Sequence, residues 1–234
     1  SAMTVYCELF RLYFAEGVSR CLASERRAQE LSQIIKDNEK REKLIEATVR
    51  IIAEQGLENL RTAEICSISG VNVAHLYHLF ENKDDLIAQA FAASDERFLK
   101  TILDNFPVLH YQSIDYEMRC RVLFMRCWEH IMNRRMYTVF YVRYYYSSSF
   151  QKYAHDEHMK RYAGLIERMK PAFPETADVK VIMHHILDSL LGMAMKQIND
   201  PQESDEAAAE TNFGIIFSVV KNYINQDVLK ENKN

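Results

Sequence analysis

An all-α fold follows from three features of the sequence. Apolar residues recur every three or four positions through most of the 234-residue chain, which is the period of an amphipathic helix and not the alternation of a strand. Only 6 Gly and 4 Pro interrupt it, and Pro107, Pro171, Pro174 and Pro201 fall between the periodic runs, where helices end. A hydrophobic content of 48% is enough to build a core, so disorder is excluded as the dominant state.

Charge and cysteine usage narrow the class. A formal charge of -4 excludes a chain that is basic all over, so a nucleic-acid site has to be a local patch. Cys7, Cys21, Cys66, Cys120 and Cys127 are odd in number and lack CxxC or finger spacing, and read as reduced, small apolar fillers. No apolar run approaches the roughly 20 residues that span a bilayer, and no signal segment opens the chain, so no membrane partner is expected and the localisation reads as cytoplasmic. Ser1 and Ala2, ahead of Met3, are read as an expression scar and carry no argument.

Residues 1–38 form a helical extension of one or two helices, with an apolar first half (VYCELFRLYF) and a more polar second half. It suits an added dimerisation, partner or membrane-surface element. The plainer alternative, favoured by the lack of a strongly basic face, is an extra helix packed on the body. Glu39 to Gln55 places Leu44, Ile45, Thr48, Ile51 and Ile52 on one face, and Gly56 closes it.

The next stretch, RTAEICSISGVNVAHLYHLFENKDD, reads as two short helices and the start of a third. Thr62 is the expected N-cap of the first, whose buried side is Ala63, Ile65, Cys66 and Ile68. Gly70 stands where the chain must take positive φ between helices, and Val71 plugs the corner. Asn72 caps the second helix, in which Leu76 and Phe80 are four apart and share the inward face. Asn82 caps the third, which runs on through Leu86, Ile87, Ala90, Phe91, Phe98 and Leu103. This is a helix-turn-helix with its exit helix attached.

Beyond it, Ser113 to Met132 predicts a helix with Met118, Val122, Met125 and Ile131 at helical spacing. A tyrosine-dense run follows (RRMYTVFYVRYYYSSSF), then a helix over Gln151 to Lys170. Two last helices, Thr176 to Asn199 and Gln202 to Gln226, are apolar on more than one face. Such a helix needs two partners, here its own domain and the same helices of a second copy, and Leu190 and Ile216 are the expected interface positions. A monomer core satisfied internally is the alternative.

From Glu39 to Ala90 the combined pattern, a helix closed by Gly56, then Thr62 through Gly70-Val71, then LYHLF with Lys83 and Leu86, resembles the DNA-binding domain of the tetracycline-repressor (TetR) family of bacterial transcription regulators. The resemblance implies an all-α protein in which residues 39–90 form the helix-turn-helix DNA-binding domain and residues 91–234 a larger helical ligand-binding and dimerisation domain. It implies a double-stranded DNA operator, a small-molecule effector and a homodimer through the two C-terminal helices as partners, with no cofactor.

Carried residue by residue, the resemblance assigns base contacts to Asn72, Val73, Ala74 and His75, and phosphate contacts to Thr62, Tyr77, His78 and Lys83. A Tyr hydroxyl on a rigid arm and a Lys at a helix N-terminus suit phosphate. The family usually has Ser or Thr where this chain has Asn72, Thr where it has His75, and a polar or basic residue where it has Val73, so these positions should give it its own operator. Val73 and Ala74 suit thymine methyl groups, and His75 suits a guanine acceptor or a phosphate. Six basic residues face nine acidic ones between Glu39 and Gln89, so binding rests on a few placed contacts and a moderate salt dependence.

For the ligand pocket the resemblance points to Trp128, Met132, Tyr137, Tyr141, Tyr144, Tyr145, Met183, His184 and Phe217. Five tyrosines between 137 and 146 form an apolar wall with hydroxyl handles, suited to an apolar or aromatic effector, although a Met and aromatic stripe is ordinarily plain core. His155 and His158 are three apart, and His184 and His185 adjacent; surface or core histidines are the plainer reading than a metal site. No nucleophile-base arrangement, phosphate loop or HExxH appears, and an enzyme is not expected. The resulting expectation is a ligand-responsive regulator, a repressor released from a palindromic operator. The competing class is a dimeric interaction or scaffold protein that uses the same fold without reading DNA.

Overall fold

In the computed structural model, which describes the backbone of residues 2–230 and the side chains of residues 27–230, α1 runs unbroken from Ala2–Gln55. At 1.5 Å per residue it is about 80 Å long. Neither glycine nor proline interrupts it between Val18 and Gln55, so the extension and the first helix of the DNA-binding unit are one element. Packing begins only near Arg41 and Leu44. Every side chain from Arg27 to Lys36 is exposed, Leu31, Ile34 and Ile35 among them, so this part does not pack on the body as the plainer reading held. Its first, apolar half lies outside the described side chains, as do Cys7 and Cys21.

Gly56 ends α1 at φ +95°, with its amide on the Ile52 carbonyl at 3.0 Å, and a 3-10 turn at Leu57–Asn59 leads to buried Leu60. Then come α2 (Thr62–Ser69), Gly70 at φ +68°, α3 (Val73–Leu79) and α4 (Lys83–Asn105). The expected cap at Thr62 is not formed. Arg61 is the N-cap, with no side-chain bond, and Thr62 is the first helical residue. A threonine there has its own amide among the unsatisfied donors, so its hydroxyl no longer precedes the turn that it would cap.

The body comprises α5 (Tyr116–Met132), α6 (Arg135–Tyr145), α7 (Ser148–Tyr153), α8 (His155–Met169), α9 (Val179–Asn199) and α10 (Asp205–Val220), with a final short α11 (Gln226–Lys230). Asp115, Ser147, Asp178 and Ser204 cap α5, α7, α9 and α10 through their side-chain oxygens. The helix expected over Gln151 to Lys170 is broken at Ala154 into α7 and α8, and α10 stops at Val220 in a 3-10 turn over Lys221–Tyr223. On α5 the buried side is Arg119, Phe124, Cys127, Trp128 and Ile131, while Met118 and Val122 are exposed. Among the described residues no helix is long and apolar enough to cross a membrane.

Hydrogen bonds made by Arg143 and by Asp95 are among the contacts that join the N-terminal unit to the body. Arg143 of α6 donates to the Ile52 carbonyl at 2.8 Å, holding the C-terminal turn of α1, where a cation also meets the negative helix end. On α4, Asp95 is fully buried and accepts from Tyr141 Oη of α6 at 2.8 Å, His158 Nδ1 of α8 at 2.9 Å and Arg161 Nε of α8 at 2.9 Å. A buried carboxylate is tolerable only when paired in this way, and here the pairing fastens three helices at one point.

Candidate nucleic-acid interface and ligand cavity

The helix-turn-helix is built by a small apolar core. Ile65 of α2, Val71 of the turn, Leu76 of α3 and Phe80 at its C-cap are buried against Leu44, Ile51 and Ile52 of α1. With Leu76 and Phe80 turned inward, the opposite side of α3 must face out. Asn72, Ala74 and His78 are exposed, as are Val73 at 45% and Tyr77 at 53%, with His75 half-buried. A large aromatic and a valine left in water on a seven-residue helix mark a surface shaped for contact.

Asn72 has two demands on it. Its Oδ1 accepts from the His75 amide at 2.9 Å, capping α3, and lies 3.1 Å from His75 Nδ1. The cap uses the oxygen and leaves the side-chain NH2 for a partner. Thr62 is half-buried and Lys83 exposed, the two standing at the first positions of α2 and α4, so the N-termini of α2, α3 and α4 are each flanked by one of the carried-over residues. Lys83 Nζ lies 3.4 Å from the Leu60 carbonyl, a long contact that leaves the ammonium able to swing outward.

One residue of this unit was visible in the sequence only as a charge. Arg41 donates Nη2 to the Leu79 carbonyl at 2.9 Å and Nη1 to Gln89 Oε1, and its guanidinium stacks over the Phe80 ring at 4.7 Å. It clamps the C-terminal end of α3 to α1 and α4. Nothing in local spacing signals such a contact, because its partners are 38 and 48 residues away.

A cavity of about 410 Å³, open in part to the surface, lies between α4 and the body. Its walls are Ile102 of α4, Phe106 in the 3-10 turn that follows it, Leu123, Phe124 and Cys127 of α5, Leu165 of α8, Leu187 and Leu190 of α9, and Phe213, Ile216 and Phe217 of α10, with Ile224 from the tail. Asn225 N bonded to the Ala172 carbonyl at 2.9 Å holds that tail in place. The polar groups in the wall are few: His110, Tyr116, Arg119, Tyr162 and Arg168, with no Asp or Glu among the lining residues. Arg119 is buried, donating Nε to the Ile114 carbonyl at 2.7 Å and Nη1 to that of Leu109 at 3.1 Å. Burial pushes the Cys127 thiol, and that of Cys120 nearby, up to about 12.

Of the nine residues singled out for the pocket, Met183 and Phe217 stand in this wall and the other seven lie elsewhere. Tyr141 and Tyr144 pack on Phe91 at 4.6 and 5.3 Å between ring centroids, and Tyr145 packs on Phe150 at 4.8 Å. These tyrosines form the aromatic joint between α4, α6 and α7 and lie outside the wall of the 410 Å³ cavity. Trp128 and Met132 are core residues, the former stacked on Phe124 at 6.2 Å. Tyr137 borders a recess of about 30 Å³ with Tyr141, and half-buried His184 has its pKa lowered by burial and by Lys180. Leu190 and Ile216, expected at the dimer interface, face the cavity instead; the exposed apolar positions on α9 and α10 are Val181, Ile215 and Val219. His155 pairs with Asp156, while His158 belongs to the Asp95 cluster.

A capped, outward-facing second helix on a buried helix-turn-helix core, carried by an all-helical body with an apolar cavity, defines a helix-turn-helix protein with a separate cavity-bearing domain. Residues 44–90 match the family described as bacterial regulatory proteins, tetR family. Over 69 residues it is 38% identical to the HTH-type transcriptional regulator PksA of Bacillus subtilis (strain 168), a match spanning 29% of this chain and 34% of that relative. The chain thus covers about a third of the curated relative that it matches.

The solved TetR family transcription regulator of Marinobacter aquaeolei VT8 superposes with a TM-score of 0.66 at 16% identity, over 82% of this chain and 98% of that one. The transcriptional regulator FadR of Bacillus subtilis, solved in complex with stearoyl-CoA, does so with a TM-score of 0.57 at 18% identity, over 75% and 97%. At such identities the likeness is one of fold, and it extends through the body as well as the helix-turn-helix.

Proposed function

We propose that this chain is a DNA-binding transcriptional regulator whose hold on a palindromic operator is released by a small apolar effector, that is, a repressor working as a homodimer in the cytoplasm. The observation that carries the reading is the outward face of α3, where Asn72, Val73, Ala74, His75, Tyr77 and His78 are presented to solvent by the burial of Leu76 and Phe80. The N-terminus of α3 and the flanking Thr62 and Lys83 supply donors for phosphates, while the side chains at its start read base edges.

An effector site is supported by the cavity, whose volume and apolar walls suit a drug-sized or hydrocarbon ligand. The FadR relative holds a stearoyl-CoA, and an acyl or aromatic chain is the kind of molecule these walls would take up. The seven displaced residues, Tyr141 and Tyr144 included, then act as the packed joint beside the site. The exposed apolar strip Val181, Ile215 and Val219 on α9 and α10 supports pairing with a second copy.

In this mechanism the two recognition helices of a dimer must stand about 34 to 36 Å apart to enter successive major grooves. A ligand that prefers the form with another spacing shifts the population off DNA, and a full switch requires a preference of about 5 kcal/mol. The test is a gel shift on the promoter region beside its own gene at several salt concentrations. Salt-sensitive binding to that fragment supports the regulator. A well-folded dimer that binds no fragment tested is instead an interaction protein with this fold.

A further inference from the structure

We propose that Arg97, His130 and Arg134 form a binding site for a phosphate group, free or carried by a small molecule. The three line the recess of about 30 Å³ between α4, α5 and the first turn of α6, and no Asp or Glu lines it with them. Phe98 is the one side chain that also lines the 410 Å³ cavity, so the site is separate from that cavity and does not depend on what the cavity binds.

Two guanidiniums and an imidazole gathered without a counterion repel one another, and an anion among them removes that cost. Neither Arg97 nor Arg134 has an ion-pair partner among the described residues. Asp104, Glu129 and Asp205 are engaged with Lys100, Arg126 and Arg135 at 2.6, 3.1 and 2.6 Å, and Glu96 is exposed and outside the lining. Arg134 is also the N-cap of α6 and makes no side-chain cap, so a cation stands at the positive end of that helix, where an anion is favoured. Ser94, Thr138 and Tyr141 spend their hydroxyls on Ala90, Ile131 and Asp95, which leaves Arg97, His130, Arg134 and the Tyr137 hydroxyl as donors to a ligand. The Arg97 guanidinium lies 6.0 Å from the Tyr137 ring centroid, which brings the α4 and α6 sides of the recess together.

Donors that converge from α4, α5 and α6 suit a tetrahedral dianion, whose oxygens point several ways, better than a planar carboxylate, which one guanidinium fork satisfies. His130 adds a proton to the chemistry. Thr101 Oγ1 donates to the Arg97 carbonyl at 3.1 Å, so it accepts from His130 Nδ1 at 2.8 Å, and the neutral ring has its hydrogen on Nδ1. Nε2 is then an acceptor, and it donates to an anion only when the ring takes up a proton. Burial first, then Arg134 and Arg97, hold the His130 pKa below its ordinary value; no carboxylate acts on it, and α9 brings only Leu191 to the recess. An anion between the two arginines offsets their effect on the ring, so anion and proton strengthen each other's binding.

Calorimetric titration of the full chain with sulfate, inorganic phosphate, glycerol 3-phosphate and succinate, at constant ionic strength, tests this. Sulfate and glycerol 3-phosphate should bind wild type, and Arg97→Gln combined with Arg134→Gln should weaken both by about tenfold or more. Sulfate stays doubly charged across neutral pH, so its affinity should rise about threefold or more from pH 8 to pH 6 in wild type and stay level in His130→Gln. Without anion the double variant should melt no lower than wild type, because it removes like charges. Glycerol 3-phosphate bound more tightly than phosphate assigns the site to an organic phosphate, and the reverse assigns it to the free ion. No saturable binding of sulfate or of either phosphate overturns the site. Undiminished binding by the double variant overturns it as well, placing the anion elsewhere, as at the helix N-termini of the helix-turn-helix. A double variant that melts well below wild type shows the arginines to be structural and removes the argument from unpaired charge. Tighter binding of succinate overturns the ligand class, and a level pH profile in wild type overturns the part given to His130.

Discussion

The Arg41 guanidinium donates to the Leu79 carbonyl at 2.9 Å while lying over the Phe80 ring at 4.7 Å, so one side chain of α1 closes the C-terminal end of the recognition helix. With only seven residues, α3 is far below the length at which a helix is stable alone. Its direction is therefore set by what holds its two ends.

Replacing that clamp should loosen α3 without touching its DNA-facing side. Arg41→Met keeps the stem and removes a charge-assisted bond to a carbonyl, for a cost of about 1–2 kcal/mol after allowing for partial exposure. Thermal unfolding should register the loss, and operator affinity should fall together with it at every sequence tested. An unchanged melting temperature would show that the helix direction is set by Leu76 and Phe80 alone.

At the other end of α3, Asn72 combines a cap with a place in the proposed base contacts, and two substitutions separate these roles. Asn72→Ala deletes the acceptor for the His75 amide and should cost about 0.5–2 kcal/mol of stability. Asn72→Asp keeps an acceptor at a helix N-terminus, where a negative charge is favourable, so the fold should hold or gain. The same charge confronts phosphates, and DNA binding should fall strongly. Urea unfolding beside fluorescence anisotropy on a promoter fragment reads both quantities. Equal anisotropy for Asn72→Asp and wild type would take Asn72 out of the interface.

The contrast between the two sites shows which parts of a structure local sequence carries. Gly70, Val71, Leu76 and Phe80 are within ten residues of one another, and their roles follow from turn chemistry and the helical period; both the turn and the inward pair stand as read. The cavity is assembled from α4, α5, α8, α9 and α10, so its wall depends on how five helices are set side by side. The tyrosine run drew attention by density, yet Tyr141 spends its hydroxyl on Asp95, 46 residues away. Likewise, the apolar second faces of α9 and α10 were legible, but which residues of each face meet the cavity is a matter of helix rotation that sequence period leaves open. Leu190 and Ile216 turned inward, and Ile215 and Val219 outward.

Alkali should destabilise the chain earlier than its acidic composition suggests. The Cys120 and Cys127 thiols are held at about 12 against an ordinary 9.0, and the Tyr144 and Tyr145 hydroxyls at about 12 against 10.0, burial being the largest cause in each case. Below about pH 8 these groups are protonated in both the folded and unfolded chain and stability is fully present. As pH rises toward 12 the unfolded chain releases their protons while the folded one keeps them, so stability falls. Urea midpoints should hold steady from pH 7 to about 8 and then drop. A midpoint unchanged at pH 11 would mean that water reaches the thiols.

The pairing surface is best tested where the structure leaves apolar side chains uncovered. Ile215 is 51% and Val219 43% exposed, one helical turn apart on α10, and Val181 on α9 is 59% exposed. A charge at Leu190 or Ile216 would instead enter the cavity wall and damage the body, leaving any loss of dimer uninterpretable. Ile215→Glu with Val219→Glu puts two carboxylates from each copy across an isologous contact, where like charges meet their own symmetry mates. Sedimentation velocity should then show monomers with the helical circular dichroism intact, and promoter binding should collapse, because a lone helix-turn-helix reads only one half-site. A dimer that persists through both substitutions would move the interface off α10 and leave the exposed Leu31, Ile34 and Ile35 face of α1 as the next surface to charge.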